Sequence, residues 1–165
     1  MLNTPKWIIV HHTGGTESNA LADTSEHTIE VVRSYHKSLG WEDIGYHFFI
    51  EKDGSLKIGR AENYHGAHTL GHNNDSLGVC MAGNFDLSVP TTPQIQTLIK
   101  LLLELKQKYN IPLENIVPHR KFAQKTCYGK HLHDTWAQEI LQPIDLKAEI
   151  LKTLQHLNIL ISNLK

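Results

Sequence analysis

The hydrophobic pattern of this chain alternates between short apolar runs, which predict β-strands, and amphipathic stretches, which predict helices. A buried strand is predicted over residues 6–12, followed by a Gly14-Gly15 loop. A helix is then predicted over residues 25–39, with Gly40 ending it. The apolar face of this helix is predicted to consist of Ile29, Val32 and Tyr35.

A β-hairpin is predicted in the next segment. Residues 46–52 and 55–59 are strand-like, and between them lies Asp53-Gly54, a pair that tolerates the positive φ of a tight turn. A polar loop over residues 64–75, rich in His, Gly and Asn, then leads into a buried strand over residues 76–82. Loops of this composition commonly carry functional sites.

The clearest helix is predicted to begin at Thr92-Pro93, with Thr92 as the N-cap, and to end at Asn110. Its buried stripe is predicted to contain Ile95, Leu98, Ile99, Leu102 and Leu105. A short strand over residues 115–118 and a last helix capped by Asp134, with Trp136 and Ile140, complete the pattern. These elements predict an α/β domain over residues 1–142, with a mixed central β-sheet and helices packed on it.

The tail, residues 143–165, has a helical pattern of its own. Its apolar seam follows a 4-3-4-3 spacing and contains Ile150, Leu154, Leu157, Ile161 and Leu164. A stripe this apolar must be buried, either against the preceding domain or against a second copy of the chain. The tail is therefore predicted to be a C-terminal helix that serves packing or homo-oligomerisation.

The charge composition argues against two classes of binding partner. The 165 residues include 16 Lys and Arg against 17 Asp and Glu, so bulk charge favours neither nucleic acid nor an anionic membrane as a partner. The N-terminal sequence lacks the pattern of a removable secretory signal, and no apolar run is long enough to cross a membrane. We expect a chain made in the cytoplasm. Cys80 lies in an apolar strand, so a buried thiol is expected there and not a disulfide with Cys127.

Candidate metal chemistry comes from His11, at the end of the first strand, together with His119 and Cys127. Two imidazoles and one thiolate give zinc three ligands and leave its fourth position open for water, as in catalytic sites. Two alternatives remain open on spacing alone. His11 and His12 could be core histidines, and His119, Cys127, His131 and His133 could form a closed structural zinc site.

Several motifs in order resemble the peptidoglycan amidases related to phage T7 lysozyme and to the peptidoglycan recognition proteins. The resemblance runs from about Trp7 to Trp136 and is carried by residues 59–60, 66–73 and 76–85 and by the stretch GWEDIGYHFFIEKDG at residues 40–54. It also includes His119 and Cys127 with Lys125 between them. The fold of that family, a mixed sheet with packed helices, is implied here.

The resemblance also implies roles for individual residues. His11, His119 and Cys127 match the family's zinc ligands, Tyr46 matches its catalytic tyrosine, and Lys125 matches a residue that assists catalysis in the T7-like members. Tyr46 and Lys125 are expected to stabilise the oxyanion. Tyr46 is also our first choice for the group that moves a proton to the leaving amine. Predicted substrate contacts are His68, His36, Trp41, Asn73 and Arg60.

One departure from the family pattern concerns the ligand loop. The cysteine ligand is usually followed by Pro-Gly, whereas here Cys127 is followed by Tyr128 and Gly129. The loop loses the φ restraint of proline, so it is expected to move more.

The resemblance implies a zinc-dependent hydrolase that cleaves the amide between N-acetylmuramic acid and L-alanine in peptidoglycan, most simply a phage-type endolysin acting on the bacterial cell wall. Retention of Cys127 favours an active enzyme, because members that bind without cutting have typically lost this ligand. The alternatives are such a non-catalytic peptidoglycan-binding module and a cytoplasmic amidase that recycles muropeptides, whose relatives tend to have aspartate at this position.

Overall fold

The structure is a computed structural model that describes residues 2–143, 153–157, 159 and 162. Five strands form one sheet in the order β3-β2-β4-β1-β5. The strands are β1 (Trp7–His12), β2 (Phe48–Ile50), β3 (Leu56–Ile58), β4 (Ser76–Met81) and β5 (Ile116–Pro118). β1 runs parallel to β4 and β5, β2 runs parallel to β4, and β3 pairs antiparallel with β2. The predicted mixed sheet and its hairpin are confirmed.

Helices cover both faces of the sheet. They are α1 (Ile29–Ser38), α2 (Thr92–Lys108) and α3 (Trp136–Glu139). The larger core lies on one face, where Ile8 and Val10 of β1 pack with leucines of α2 such as Leu98 and Leu102. A smaller core on the other face joins α1 to Phe49 and Cys80. Because side chains alternate along β1, His11 points to the face opposite Val10, on the side of α1.

The helix α1 begins at Ile29 and not at residue 25 as predicted. Thr28 is its N-cap, with a side chain that accepts a hydrogen bond from the N–H of Val31. The buried face also differs, because His36 joins Ile29 and Val32 while Tyr35 is 42% exposed. His36, the polar residue in this face, lies beside the candidate site.

Helix α2 begins one residue earlier than predicted, because Thr91 is its cap. The Thr91 hydroxyl accepts from the N–H of Gln94, and the Gln94 side chain accepts from the N–H of Thr91, which forms a capping box. The buried side chains are Gln94, Leu98, Leu101, Leu102 and Leu105, whereas the predicted Ile95 and Ile99 are only partly buried.

The predicted cap of the last helix is wrong. Thr135 precedes α3 without a side-chain cap bond, and Asp134 pairs with Arg120 instead. Cys80 is buried, as predicted, and both Cys80 and Cys127 are free thiols. Within the described part of the chain, no helix has the length and apolar character needed to span a membrane.

The predicted tail helix and most of its seam lie outside the described residues. Residues 153–157 are helical, and Leu154 and Leu157 are 51% and 47% exposed. The two-part division at residue 142 stays a prediction.

Candidate active site

The candidate site lies where β1 and β5 end side by side. Val10 of β1 pairs with Pro118 of β5 in a parallel register, so the next residue of each segment, His11 within β1 and His119 just after β5, lies at the same end of the sheet. Their imidazole ring centroids are 4.6 Å apart. The parallel pairing therefore brings together two histidines that are far apart in the sequence.

The thiol of Cys127 completes a compact cluster with these two histidines. One ligand atom from each of His11, His119 and Cys127 lies within 4.8 Å of the others. Sγ of Cys127 is 3.6 Å from Nδ1 of His11. Tetrahedral zinc with ordinary Zn–N and Zn–S bonds requires about 3.5 Å between such atoms, so this donor set fits zinc.

The alternative closed site is not formed. Across residues 2–143 and the described tail positions, the group of three or more donor side chains that could hold a metal is this one, and it excludes His131 and His133. Both of those histidines are exposed, and His133 is 3.3 Å from Glu139. The geometry supports the three-ligand arrangement.

Burial prepares the two histidines for metal binding. It lowers the pKa of His11 well below 6.5, with help from the nearby His68 and His119, and lowers the pKa of His119 to about 4, with help from Lys125. Both imidazoles are therefore neutral at pH 7, the form that binds metals. Burial also raises the pKa of the Cys127 thiol to about 12, against the effect of the His12 N–H that points at its sulfur at 3.5 Å.

His68 lies behind His11. Nδ1 of His68 is 3.1 Å from Nε2 of His11, on the side of the His11 ring away from Cys127. Nε2 of His68 is 3.4 Å from the hydroxyl of Ser76. His68 is buried, and burial lowers its pKa well below 6.5, with His47 adding to the shift. His68 therefore contacts a candidate ligand directly.

Tyr46 and Lys125 flank the cluster. The ring of Tyr46 is centred 5.1 Å from that of His11, and burial raises the pKa of its hydroxyl well above 10, so the group stays protonated. Lys125 is exposed at the mouth of the site and lies near enough to lower the pKa of both histidines. Both residues line the cavity beside the cluster.

A cavity of about 550 Å³ opens onto the cluster. Of the predicted substrate contacts, His36, Trp41 and His68 line it, together with Tyr46 and Lys125. The rings of His36 and Trp41 are 4.6 Å apart, and Trp41 is 38% exposed, so it is not a core residue. The three donor residues His11, His119 and Cys127 line the same cavity.

Arg60 and Asn73 are not among the residues that line this cavity. The Arg60 guanidinium donates to the carbonyls of Ile44 and His65, at 2.6 and 3.0 Å. The Asn73 side-chain oxygen accepts from the N–H groups of His68 and Thr69, at 2.8 and 2.9 Å. Both residues hold loop backbone in place, so the prediction that they contact substrate has no geometric support.

The sequence did not point to several residues of the cavity wall. Tyr35 and Leu39 of the α1 segment line it on either side of His36 in the sequence. An adjoining cavity of about 620 Å³ shares Tyr35, His36 and Tyr46 and continues along α1. Tyr35 and Leu39 are four residues apart and both are partly exposed. Large apolar side chains at this spacing on the open face of a helix often mark a binding groove, so this pair was the sequence feature that could have indicated the wall.

Comparisons with known proteins agree with this geometry. The sequence model described as N-acetylmuramoyl-L-alanine amidase matches residues 1–130. The chain is 36% identical over 122 residues to the endolysin of Escherichia phage T7, covering 71% of this chain and 80% of that protein. It is 34% identical over 132 residues to the endolysin of Klebsiella phage KP32, covering 77% and 86%. Among solved structures, the N-acetylmuramoyl-L-alanine amidase LysC from Clostridium intestinale URNW superposes with a TM-score of 0.69 at 34% identity, covering 79% of this chain and 83% of that one.

Proposed function

This chain belongs to the N-acetylmuramoyl-L-alanine amidase family, and we propose that it is a phage-type endolysin whose zinc ligands are His11, His119 and Cys127. The substrate bond is the amide that joins the lactyl group of N-acetylmuramic acid to L-alanine in peptidoglycan. The observation that carries the assignment is the compact cluster of two neutral imidazoles and one thiol, which lines an open cavity. Its place of action is the bacterial cell wall.

The donor set supports a catalytic and not a structural role for the metal. Three protein ligands would leave a fourth coordination position open, and all three donor residues line a cavity large enough for part of a substrate. The chemistry that zinc supplies when bound there is activation of water at neutral pH and polarisation of a carbonyl oxygen. The thiol of Cys127 must lose its proton on binding, so binding is coupled to proton release.

The chain's own groups supply the remaining requirements of amide hydrolysis. Attack on the carbonyl carbon places negative charge on its oxygen, and the protonated hydroxyl of Tyr46 can donate a hydrogen bond to that charge. The Lys125 side chain adds positive charge at the mouth of the site. The leaving amine needs a proton before the C–N bond breaks, and we assign Tyr46 to pass on to it the proton that the attacking water gives up.

The walls of the groove orient the substrate. The rings of His36 and Trp41, inclined by 40° to each other, form one side of the cavity, and the exposed Trp41 ring offers an apolar surface for a sugar or peptide group. His68 is reassigned from substrate contact to support of His11, because its Nδ1 faces the His11 ring at 3.1 Å. A ligand histidine whose second nitrogen is hydrogen-bonded has a fixed ring orientation.

Retention of Cys127 within the cluster favours an enzyme over a module that only binds peptidoglycan. Metal analysis of the purified protein tests the assignment. We expect about one zinc per chain, loss of turnover of purified cell walls on treatment with a chelator, and recovery when zinc is added back. Cys127→Ser should lose both metal and turnover, whereas Cys80→Ala, which removes the other free thiol, should keep the metal. Full turnover by a metal-free chain would refute the assignment.

A further inference from the structure

The loop that carries Cys127 is held by a side chain where proline would restrain the backbone. Tyr128, directly after the cysteine, is completely buried, with 0% of its surface exposed. Its ring lies in the main core and meets the ring of Trp136 edge-on, with 5.6 Å between centroids. The greater mobility expected from the missing proline is therefore opposed by an anchored side chain.

The hydroxyl of Tyr128 is bonded to the segment that leads into α3. It lies 3.0 Å from the carbonyl oxygen of His133 and 3.0 Å from that of Asp134, and it accepts from the N–H of Ala137 at 3.4 Å. A buried hydroxyl with these partners has one favoured position, because displacing it would leave buried polar groups unpaired. The residue next to Cys127 is thus fixed at its far end as well as by its backbone.

Arg120 ties the same loop to the other side of the metal cluster. It directly follows His119, and its backbone N–H donates to the carbonyl of Cys127 at 2.7 Å. Its guanidinium donates to the carbonyls of Thr126 and Gly129, at 3.1 and 2.7 Å. The planar fork therefore binds the loop on both sides of Cys127.

The two side chains also contact each other. The guanidinium carbon of Arg120 lies 5.2 Å from the centre of the Tyr128 ring, a cation–π contact. The guanidinium reaches further, to the carbonyl of Leu132 and the carboxylate of Asp134. One connected network thus links the residue after His119, the residue after Cys127 and the start of α3.

We propose that Arg120 and Tyr128 are positioning residues that fix the Cys127 sulfur relative to the His119 imidazole. This inference rests on the proposed zinc-binding function. Neither side chain is among those that line the cavity, so their effect on zinc acts through the ligand loop. Outer-shell partners of metal ligands typically change metal affinity about 10–100-fold when they are removed.

A second set of contacts to the loop, made by Asp86, should limit the loss of zinc affinity. The carboxylate of Asp86 accepts from the Thr126 hydroxyl at 2.7 Å and from the N–H of Lys130 at 2.8 Å, so it holds the loop from the opposite side. Loss of the Arg120 or Tyr128 contacts should loosen the sulfur without releasing the whole loop. Zinc affinity should therefore fall and not vanish.

The test compares Tyr128→Phe and Arg120→Lys with two matched controls. Tyr128→Phe keeps the ring and removes the hydroxyl. Tyr109→Phe makes the same change in a partly buried tyrosine that follows α2, where the hydroxyl donates to Glu62 at 2.8 Å. Arg120→Lys keeps the charge and removes the fork. Arg33→Lys does the same to an arginine of similar exposure, 22% against 20%, paired with Asp43.

Zinc affinity, measured by competition with a chromophoric chelator, should fall about tenfold or more in Tyr128→Phe and Arg120→Lys. It should stay within twofold of the wild-type value in both controls. The cobalt-substituted protein gives a second readout, because its sulfur-to-metal charge-transfer band should shift or weaken only in the two loop variants. Circular dichroism checks that each variant has folded.

The two hypotheses can fail separately. If the wild-type chain binds no zinc, the proposed function fails together with this inference. If the wild-type chain binds zinc and both loop variants match it in affinity and in the cobalt band, the positioning role is wrong while the proposed function stands.

Discussion

Nε2 of His11 lies 3.1 Å from Nδ1 of His68, and Nδ1 of the same His11 ring lies 3.6 Å from the sulfur of Cys127. The two nitrogens of one imidazole thus face two different partners. With Nδ1 assigned to the metal, the N–H at Nε2 donates to His68, the arrangement that usually fixes a ligand histidine. His68 was predicted from its sequence position to contact substrate, and its position next to His11 gives it a different proposed role.

Replacing His68 should therefore weaken zinc binding. His68→Phe keeps a ring but removes the acceptor, and we expect its zinc dissociation constant to rise about 10–100-fold. His68→Asn, which keeps an acceptor near the position of Nδ1, should recover part of the affinity. His65→Ala, an exposed histidine of the same loop, is the control. A raised KM with unchanged zinc affinity in His68→Phe would return His68 to the substrate contacts.

Tyr46 and Lys125 should affect the rate of cleavage and not the metal. Tyr46→Phe and Lys125→Ala remove groups assigned to the developing charge, so kcat should fall about a hundredfold in each, with zinc content unchanged. Steady-state kinetics on soluble muramyl peptides, with metal analysis of the same samples, provides the measurement. Wild-type kcat in either variant would remove that residue from the mechanism.

The stability of the zinc-free chain should fall as the pH drops from 7 to 5. Burial lowers the pKa of His36 to about 4 and also lowers that of His47, so at pH 5 the unfolded chain binds protons that the folded chain does not. The depressed pKa of His36 should then reduce the free energy of unfolding by about 1 kcal/mol or more over this window, and His47 should add to the drop.

Urea denaturation at the two pH values tests this dependence. His36→Asn, which keeps an acceptor for the N–H that Gly45 donates to His36 at 2.9 Å, should show a smaller drop. Equal stability of the wild-type chain at pH 7 and pH 5 would mean that these imidazoles are not depressed.

The tail prediction concerns oligomeric state. The seam of Leu154 and Leu157, both about half exposed, is predicted to be buried either on the chain's own domain or against a second copy. Light scattering on the full chain and on a chain ending at Gln142 separates the two. A dimer or tetramer that becomes a monomer on truncation supports self-association. Two monomers, with the shorter one less stable, would assign the tail to packing.

The strands and most helices could be predicted because their signals are local. The apolar run before His11, the Asp53-Gly54 turn and the apolar stripe of α2 each specify an element within a short window. The parallel pairing that places His119 beside His11 depends on strand order, whereas the family resemblance implied only the set of ligands that this pairing brings together. Errors occurred where two local signals competed, as with Thr91 and Thr92, both of which can cap a helix.

The supporting contacts of the site could not be predicted, because they join residues that are distant in the sequence. The pairing of His68 with His11 depends on how the loop after β3 folds back over the sheet. The anchoring of Tyr128 depends on how α3 packs against the core, whereas the sequence showed only that the usual proline was absent. Packing of the Tyr128 side chain thus restrains the Cys127 loop in place of the missing proline.

Digestion of purified sacculi by the zinc-loaded chain tests the central claim most directly, with the products identified by mass spectrometry. Hydrolysis of the proposed bond should release stem peptides with a free amino group on L-alanine and leave glycan strands with a free lactyl carboxyl group, and Cys127→Ser should produce neither. New reducing sugar ends or cuts within the stem peptide, with the alanine amino group still blocked, would contradict the assignment.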